Sequence, residues 1–324
     1  VKHLMTTALA VSLLAGPALA DIKLSGYGRT GLVYYEDDGR DPDANETQIS
    51  SRVRLDVNAS VEAEGLTFGA NFRVQWDQGD AGVETISPGQ LYVTADGFTA
   101  YVGNVIPAFD GAALLKQSRL GVFERSWGGD PQGRFFLGAD KGYGDYSDRI
   151  GLALKYTTGG LTVRASYVDP DQTGHQESGP GYAEETALAL HYKLSDSLEF
   201  SAATAQNGAG FKGNDLYFVG ARYSLTRAAR VGLNFIDNGT QLPRSAGTVG
   251  SPGNTVTLYG DYKIGKTTLG GYVAHNSGDW ARKQTNASFG VGASYDLGRP
   301  FLAASLQRDY DDRLYADMGV RFDF

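Results

Sequence analysis

Five arginines have the type and spacing to act as a set: Arg29, Arg52, Arg54, Arg73 and Arg321. Each lies in a stretch where apolar and polar residues alternate, and each falls on the polar side. In QISSRVRLDVNASVEAEG, residues 48–65, Val53, Leu55 and Val57 make one face while Arg52, Arg54 and Asp56 make the other. Successive strand side chains point to opposite faces, so such arginines share one wall. Like charges crowded together repel unless something offsets them. The acids expected to face them are Asp110, Glu124, Asp130 and Asp140, all within the long stretch 105–148. Cations and carboxylates opposed across a narrow wet passage create a transverse field that sorts solutes by size and dipole. Lys116, Arg119, Arg125, Arg134 and Lys141 offset most of that stretch's carboxylates.

Other chemistries find less support. Cysteine is absent, so neither disulfides nor thiolate metal sites are available. DPDANE (41–46) begins like a calcium loop, but Glu46 stands where glycine is needed and Arg52 where the bidentate glutamate belongs, so an EF-hand is rejected. A hydrolase needs a nucleophile, a base and an orienting group in mutual reach. Beyond residue 20 the histidines are His175, His191 and His275, and none stands in a recognisable serine pairing. No enzyme is expected. The net charge of −8 argues against a nucleic-acid partner, which calls for a basic stripe.

The elements that must carry these residues are strands. Residues 1–20 read as a signal peptide, with Lys2, an apolar run from Leu4 to Leu14, and Ala18-Leu19-Ala20 as the cleavage signal. Residues 21–324 then form one domain. After residue 20 no apolar run reaches the roughly 20 residues of a membrane helix. Alternation instead predicts sixteen strands: 22–35, 49–63, 66–76, 89–96, 98–104, 149–157, 161–168, 183–194, 197–205, 214–225, 229–236, 254–264, 267–276, 285–297, 300–309 and 313–324. Many reach the roughly 9–11 residues that cross a bilayer at a tilt. One strand breaks the pattern, since Leu216 and Phe218 fall on its polar face.

Short and long connections alternate along the chain, which sorts all the long loops to one end, as in an up-and-down outer-membrane barrel. Turning the second strand over would put Arg52 and Arg54 in hydrocarbon at about 2–4 kcal/mol each. The apolar faces therefore point to lipid and the charged faces enclose water. The expected fold is an all-β, sixteen-stranded antiparallel transmembrane barrel with a long third loop folded into the pore. That loop carries too many apolar residues for a solvated tail, among them Phe109, Leu114, Leu115, Val122 and Trp127. Its run Gly111–Ser118 is the place expected for a short helix.

With its DIKLSGYGRTGLVY start, sixteen-strand layout, very long third loop and terminal Phe324, the chain resembles the general bacterial porins, most of all those of alphaproteobacteria. GNVIPAFDG (103–111) is similar to that family's approach to its constriction loop. The resemblance implies a Gram-negative outer-membrane diffusion channel for small hydrophilic solutes and ions, assembled as a homotrimer. It also implies that Phe324 is read by the barrel-assembly machinery, and that the five arginines face the loop acids. No cofactor is implied, although relatives that bind calcium near the constriction make Asp110, Glu124 and Asp140 the candidate ligands. Two alternatives stand beside this. A substrate-specific channel would need a continuous inward ladder of aromatics, whereas Tyr27, Tyr35, Tyr101 and Tyr259 are scattered. A structural adhesin or receptor barrel would use the long loops alone.

Overall fold

The computed structural model describes residues 20–36, 45–78, 85–128, 149–173, 183–241 and 250–324. Residues 1–19 of the expected signal segment, most of DPDANE, His175, Asp130 and Asp140 lie outside the described residues.

Alternating sequence becomes alternating structure. Among the described residues sixteen antiparallel strands close into one barrel. The first half comprises β1 (Asp21–Tyr35), β2 (Thr47–Ala63), β3 (Leu66–Asp77), β4 (Thr85–Ala95), β5 (Phe98–Gly103), β6 (Ile150–Thr158), β7 (Leu161–Asp169) and β8 (Glu185–Lys193). The second comprises β9 (Leu198–Gln206), β10 (Leu216–Ser224), β11 (Ala229–Asp237), β12 (Asn254–Ile264), β13 (Thr267–Asn276), β14 (Ala287–Asp296), β15 (Pro300–Arg308) and β16 (Leu314–Asp323). Each strand pairs with its sequence neighbours, and the seam joins β1 to β16. Gly26 and Phe324 exchange backbone hydrogen bonds of 2.9 and 3.0 Å, so the last residue completes the ring. Closure removes the unpaired edges that lipid cannot satisfy.

Glu64-Gly65 and Asp96-Gly97 make two of the tight turns, with positive φ at both positions of each pair, as type I′ hairpins require. Outward side chains are mostly large and apolar, inward ones mostly small or polar. Along β8, Leu188 is 51% exposed on the outer face while Ala189 is 3% exposed within. Outward aromatics gather at the strand ends. Phe68, Tyr156, Tyr192, Tyr223 and Tyr295 stand near the short turns, Trp76, Tyr167, Tyr217 and Phe289 near the long loops, and Leu154, Leu258 and Val273 lie between. Two aromatic girdles around an aliphatic band is the outer surface of a bilayer-spanning barrel.

The core of this molecule is the loop after β5. Val105 packs with Ala153 and Val168, and Phe109, Leu114 and Leu115 pack with Ala187, Ala203, Leu216, Phe218 and Ile236. Leu120 and Trp127 join Tyr259, Tyr272 and Tyr310, while Val122 and Phe123 join Val33, Ala303 and Tyr315. The described loop thus runs round the inner wall from β6 to β16 and on to β1. Leu216 and Phe218 break the polar pattern of β10 because their inward faces receive this loop. Gly111–Ser118 forms successive turns rather than the expected helix, because Phe109, Ala112, Leu114 and Leu115 all meet the wall. A helix would aim them around its axis. Arg149, which is buried, donates to Asn104 Oδ1 at 2.7 Å and to the Val105 carbonyl at 3.0 Å, tying the loop's two ends together.

Candidate functional site

Strand register sets the basic residues in rows. Arg29 is the backbone partner of both Arg321 and Arg52, and Arg52 is that of Asp77, giving the row Arg321, Arg29, Arg52, Asp77. Two residues along lies the row Asp323, Tyr27, Arg54, Gln75, and then Asp56 opposite Arg73. Neighbouring strands lie about 4.8 Å apart, so the guanidinium groups crowd and must be held.

Each is held differently. Arg52 forms an ion pair with Asp77, and Arg73 one with Asp56 at 2.8 Å. Arg54 donates from two nitrogens to Gln75 Oε1 at 2.9 and 2.7 Å, and Gln75 donates to Asp77 at 2.6 Å. Arg321 meets Glu124 at 2.8 Å and Asp323 at 3.1 Å. Arg29 donates to the Phe123 carbonyl at 3.3 Å. At the centre lies the buried Tyr27, whose ring is 4.2, 5.1 and 5.8 Å from the Arg321, Arg54 and Arg29 carbons. Cation–π attraction to that ring spaces charges that would otherwise repel.

The loop tip reaches this wall as a tight turn bridged between Leu120 and Arg125. Val122 N–H donates to Asp317 Oδ1 at 2.8 Å, and Ser305 donates to the other oxygen at 2.7 Å. Gly121 has φ +74°, and a Cβ there would stand 2.2 Å from Asp317 Oδ2, so only glycine fits. Glu124 takes φ +53°, a strained setting that turns its carboxylate to Arg321. The wall of β2 and β3, with Arg52, Arg54 and Arg73, lies beyond the tip.

The structure therefore brings Arg29, Arg52, Arg54, Arg73 and Arg321 into one patch and Glu124 against its edge. Asp110 pairs with Lys116 of its own loop. Asp56, Asp77, Tyr27 and Gln75 complete the patch but were not among the sequence candidates. Arg73 and Asp56 are direct cross-strand partners, so counting inward residues from the 64–65 turn finds that pair. Among the described residues no cluster of three or more histidine, aspartate or glutamate side chains could hold a metal. Ser201 lies opposite His191 on the neighbouring strand, yet Ser201 Oγ and His191 Nδ1 make no hydrogen bond, so no nucleophile–base pair forms.

On the far wall the signs alternate. Glu199 takes Arg222 at 2.6 Å and His191 at 3.3 Å, Arg230 meets Asp261 at 3.0 Å, and Arg222 also donates to Gln117 of the loop at 2.6 Å.

Comparison with known proteins agrees with this geometry. A family model described as Gram-negative porin matches residues 6–312. The porin of Fuscovulum blasticum is 38% identical over 309 residues, covering 94% of this chain and 100% of the relative. A solved triple mutant of Rhodopseudomonas blastica porin aligns with TM-score 0.81 and 37% identity, covering 94% of this chain and 100% of that one. A second variant of that porin, with a lysine and an arginine changed to alanine, gives 0.81 at 36% identity and the same coverage.

Proposed function

The chain belongs to the family of Gram-negative porins and is an outer-membrane channel rather than an enzyme, and from that premise we propose how it selects what passes. Small hydrophilic solutes and ions diffuse passively between the third loop and the basic wall of Arg29, Arg52, Arg54, Arg73 and Arg321. Glu124 and Asp110 supply loop carboxylates, with Asp130 and Asp140 of the remaining loop segment as further contributors. The observation carrying this reading is the loop itself. It lies inside the barrel, bonded to Asp317 and Arg29, and narrows the lumen against one charged wall. A field fixed across such a gap acts in little water and is weakly screened.

The functional unit in this reading is a homotrimer. Thr30 and Ser51 make a small hydroxyl patch on the outer face, their Oγ1 and Oγ 2.7 Å apart, beside Gly26 and a Gly28 covered by the Phe322 ring. Hydroxyls and small residues suit a closely approaching protein wall better than hydrocarbon. In the same reading residues 1–20 direct export, and Phe324 is the residue recognised by the barrel-assembly machinery. Planar-bilayer recording tests the central claim: folded protein is expected to give large ohmic steps, and an electrically silent bilayer overturns it.

A further inference from the structure

Lys155 of β6 and Arg164 of β7 are directly opposed backbone partners on the inner face. Like charges set opposite each other destabilise a strand pair. Every arginine of the basic wall has a carboxylate, amide or carbonyl partner. Among the described residues the Lys155 and Arg164 side chains have no hydrogen bond or ion pair. Asp110 of the loop is engaged by Lys116, and Glu199 of β9 by Arg222 and His191.

Between these two cations and the loop segment Gly111–Ala113 is a cavity of about 140 Å³, lined also by Thr162, Ala189 and His191. Thr162 and His191 are backbone partners, so hydroxyl and imidazole share its floor. His191 Nδ1 is buried without a partner. Gly111 closes over the Arg164 stem so tightly that a Cβ would stand 3.0 Å from Cδ. A cavity of about 150 Å³ takes a benzene-sized ligand, so this one has room for an oxyanion group with several waters. A guanidinium fork, an ammonium and a hydroxyl lining one cavity are the donors that recognise phosphate.

We propose that Lys155, Arg164, Thr162 and His191 form a phosphate-binding pocket on the short-turn side of the third loop. It rests on the channel reading in one respect: it holds the oxyanion of phosphate-bearing solutes in transit. Lys155 and Thr162 flank the turn at 159–160, which places the pocket towards the short-turn end of the barrel.

The test titrates inorganic phosphate into the full-length folded protein in detergent, read by phosphorus NMR. Saturable binding is expected, at least tenfold weaker in K155Q/R164Q. T162E keeps both cations but fills the pocket with a carboxylate, and is expected to weaken binding equally. R230Q, on another wall, is expected to bind as the parent does. In planar bilayers, phosphate added on the short-turn side should depress the chloride current of the parent but not of K155Q/R164Q. No saturable binding by the parent, or undiminished binding by K155Q/R164Q, overturns the pocket. Normal phosphate binding with a silent bilayer overturns the channel reading and leaves the pocket standing.

Discussion

Tyr27 shows how a wall of cations is kept compact at the scale of single residues. Its ring takes three guanidinium groups, while Asp77 and Glu124 neutralise the ends of the row. Arg52→Gln removes one positive charge from the row and the ion pair between Arg52 and Asp77. The zero-current potential in a potassium chloride gradient is expected to move towards the cation limit, and an unmoved potential would show that this row does not set the field. Asp317 acts on the loop instead. Asp317→Ala strips Val122 N–H and Ser305 of their acceptor, which costs about 1–3 kcal/mol. Protease cleavage between Gly121 and Trp127 is expected to accelerate roughly tenfold or more, since each 1.4 kcal/mol is a factor of ten. The arginines were legible because strand period two sorts faces from local sequence alone. Asp77 was not, because β3 runs one residue further than its pattern, into what read as loop. Asp110 was legible as a loop acid, but Lys116 six residues on competes for it, and no local pattern reveals which partner wins.

At the scale of elements, the irregularity in β10 carries the most information. Leu216 and Phe218 break the alternation, and Phe109, Leu114 and Leu115 of the loop cover them. An apolar pair on a wet face was therefore a readable mark of docking, although its partner lies a hundred residues away in sequence. Phe218→Ala should cost about 3–5 kcal/mol of loop attachment through lost burial and the cavity left behind. The barrel is expected to keep its heat-modifiable mobility on gels while single-channel conductance rises; unchanged conductance would mean that the loop is held elsewhere. The outer face obeys the opposite rule. Leu258→Arg, in the aliphatic band between the girdles, is expected to destabilise the barrel in vesicles by about 2–4 kcal/mol, measured by reversible urea unfolding. Most strand limits came through within two residues because lipid on one face and water on the other enforce alternation along each strand. The exception is β4, which begins at Thr85 where 89 was expected, because a register shift opposite Asn71–Arg73 interrupts the pattern. The helix expected at 111–118 failed because a coil laid flat on a concave wall buries its side chains on one side, which periodicity cannot anticipate.

For the whole molecule, the trimer reading turns on the outer patch around Thr30 and Ser51. Chemical cross-linking of the native protein is expected to give a three-chain species, and Ser51→Glu to give single barrels that still fold; a single-chain species from the parent would count against the trimer. The barrel as a whole was legible, since strand count, loop sorting and facing all follow from alternation and turn residues. Its internal traffic was not, because the loop's path depends on contacts distant in sequence. The clasp made by Arg149 on Asn104 and Val105 carries a last implication. The excursion leaves and rejoins the shell at one point, so β5 and β6 keep their register whatever lies between. The filter is in that sense a cassette: a graft of different length or charge, sewn in between Val105 and Arg149, could retune the passage without rebuilding its housing.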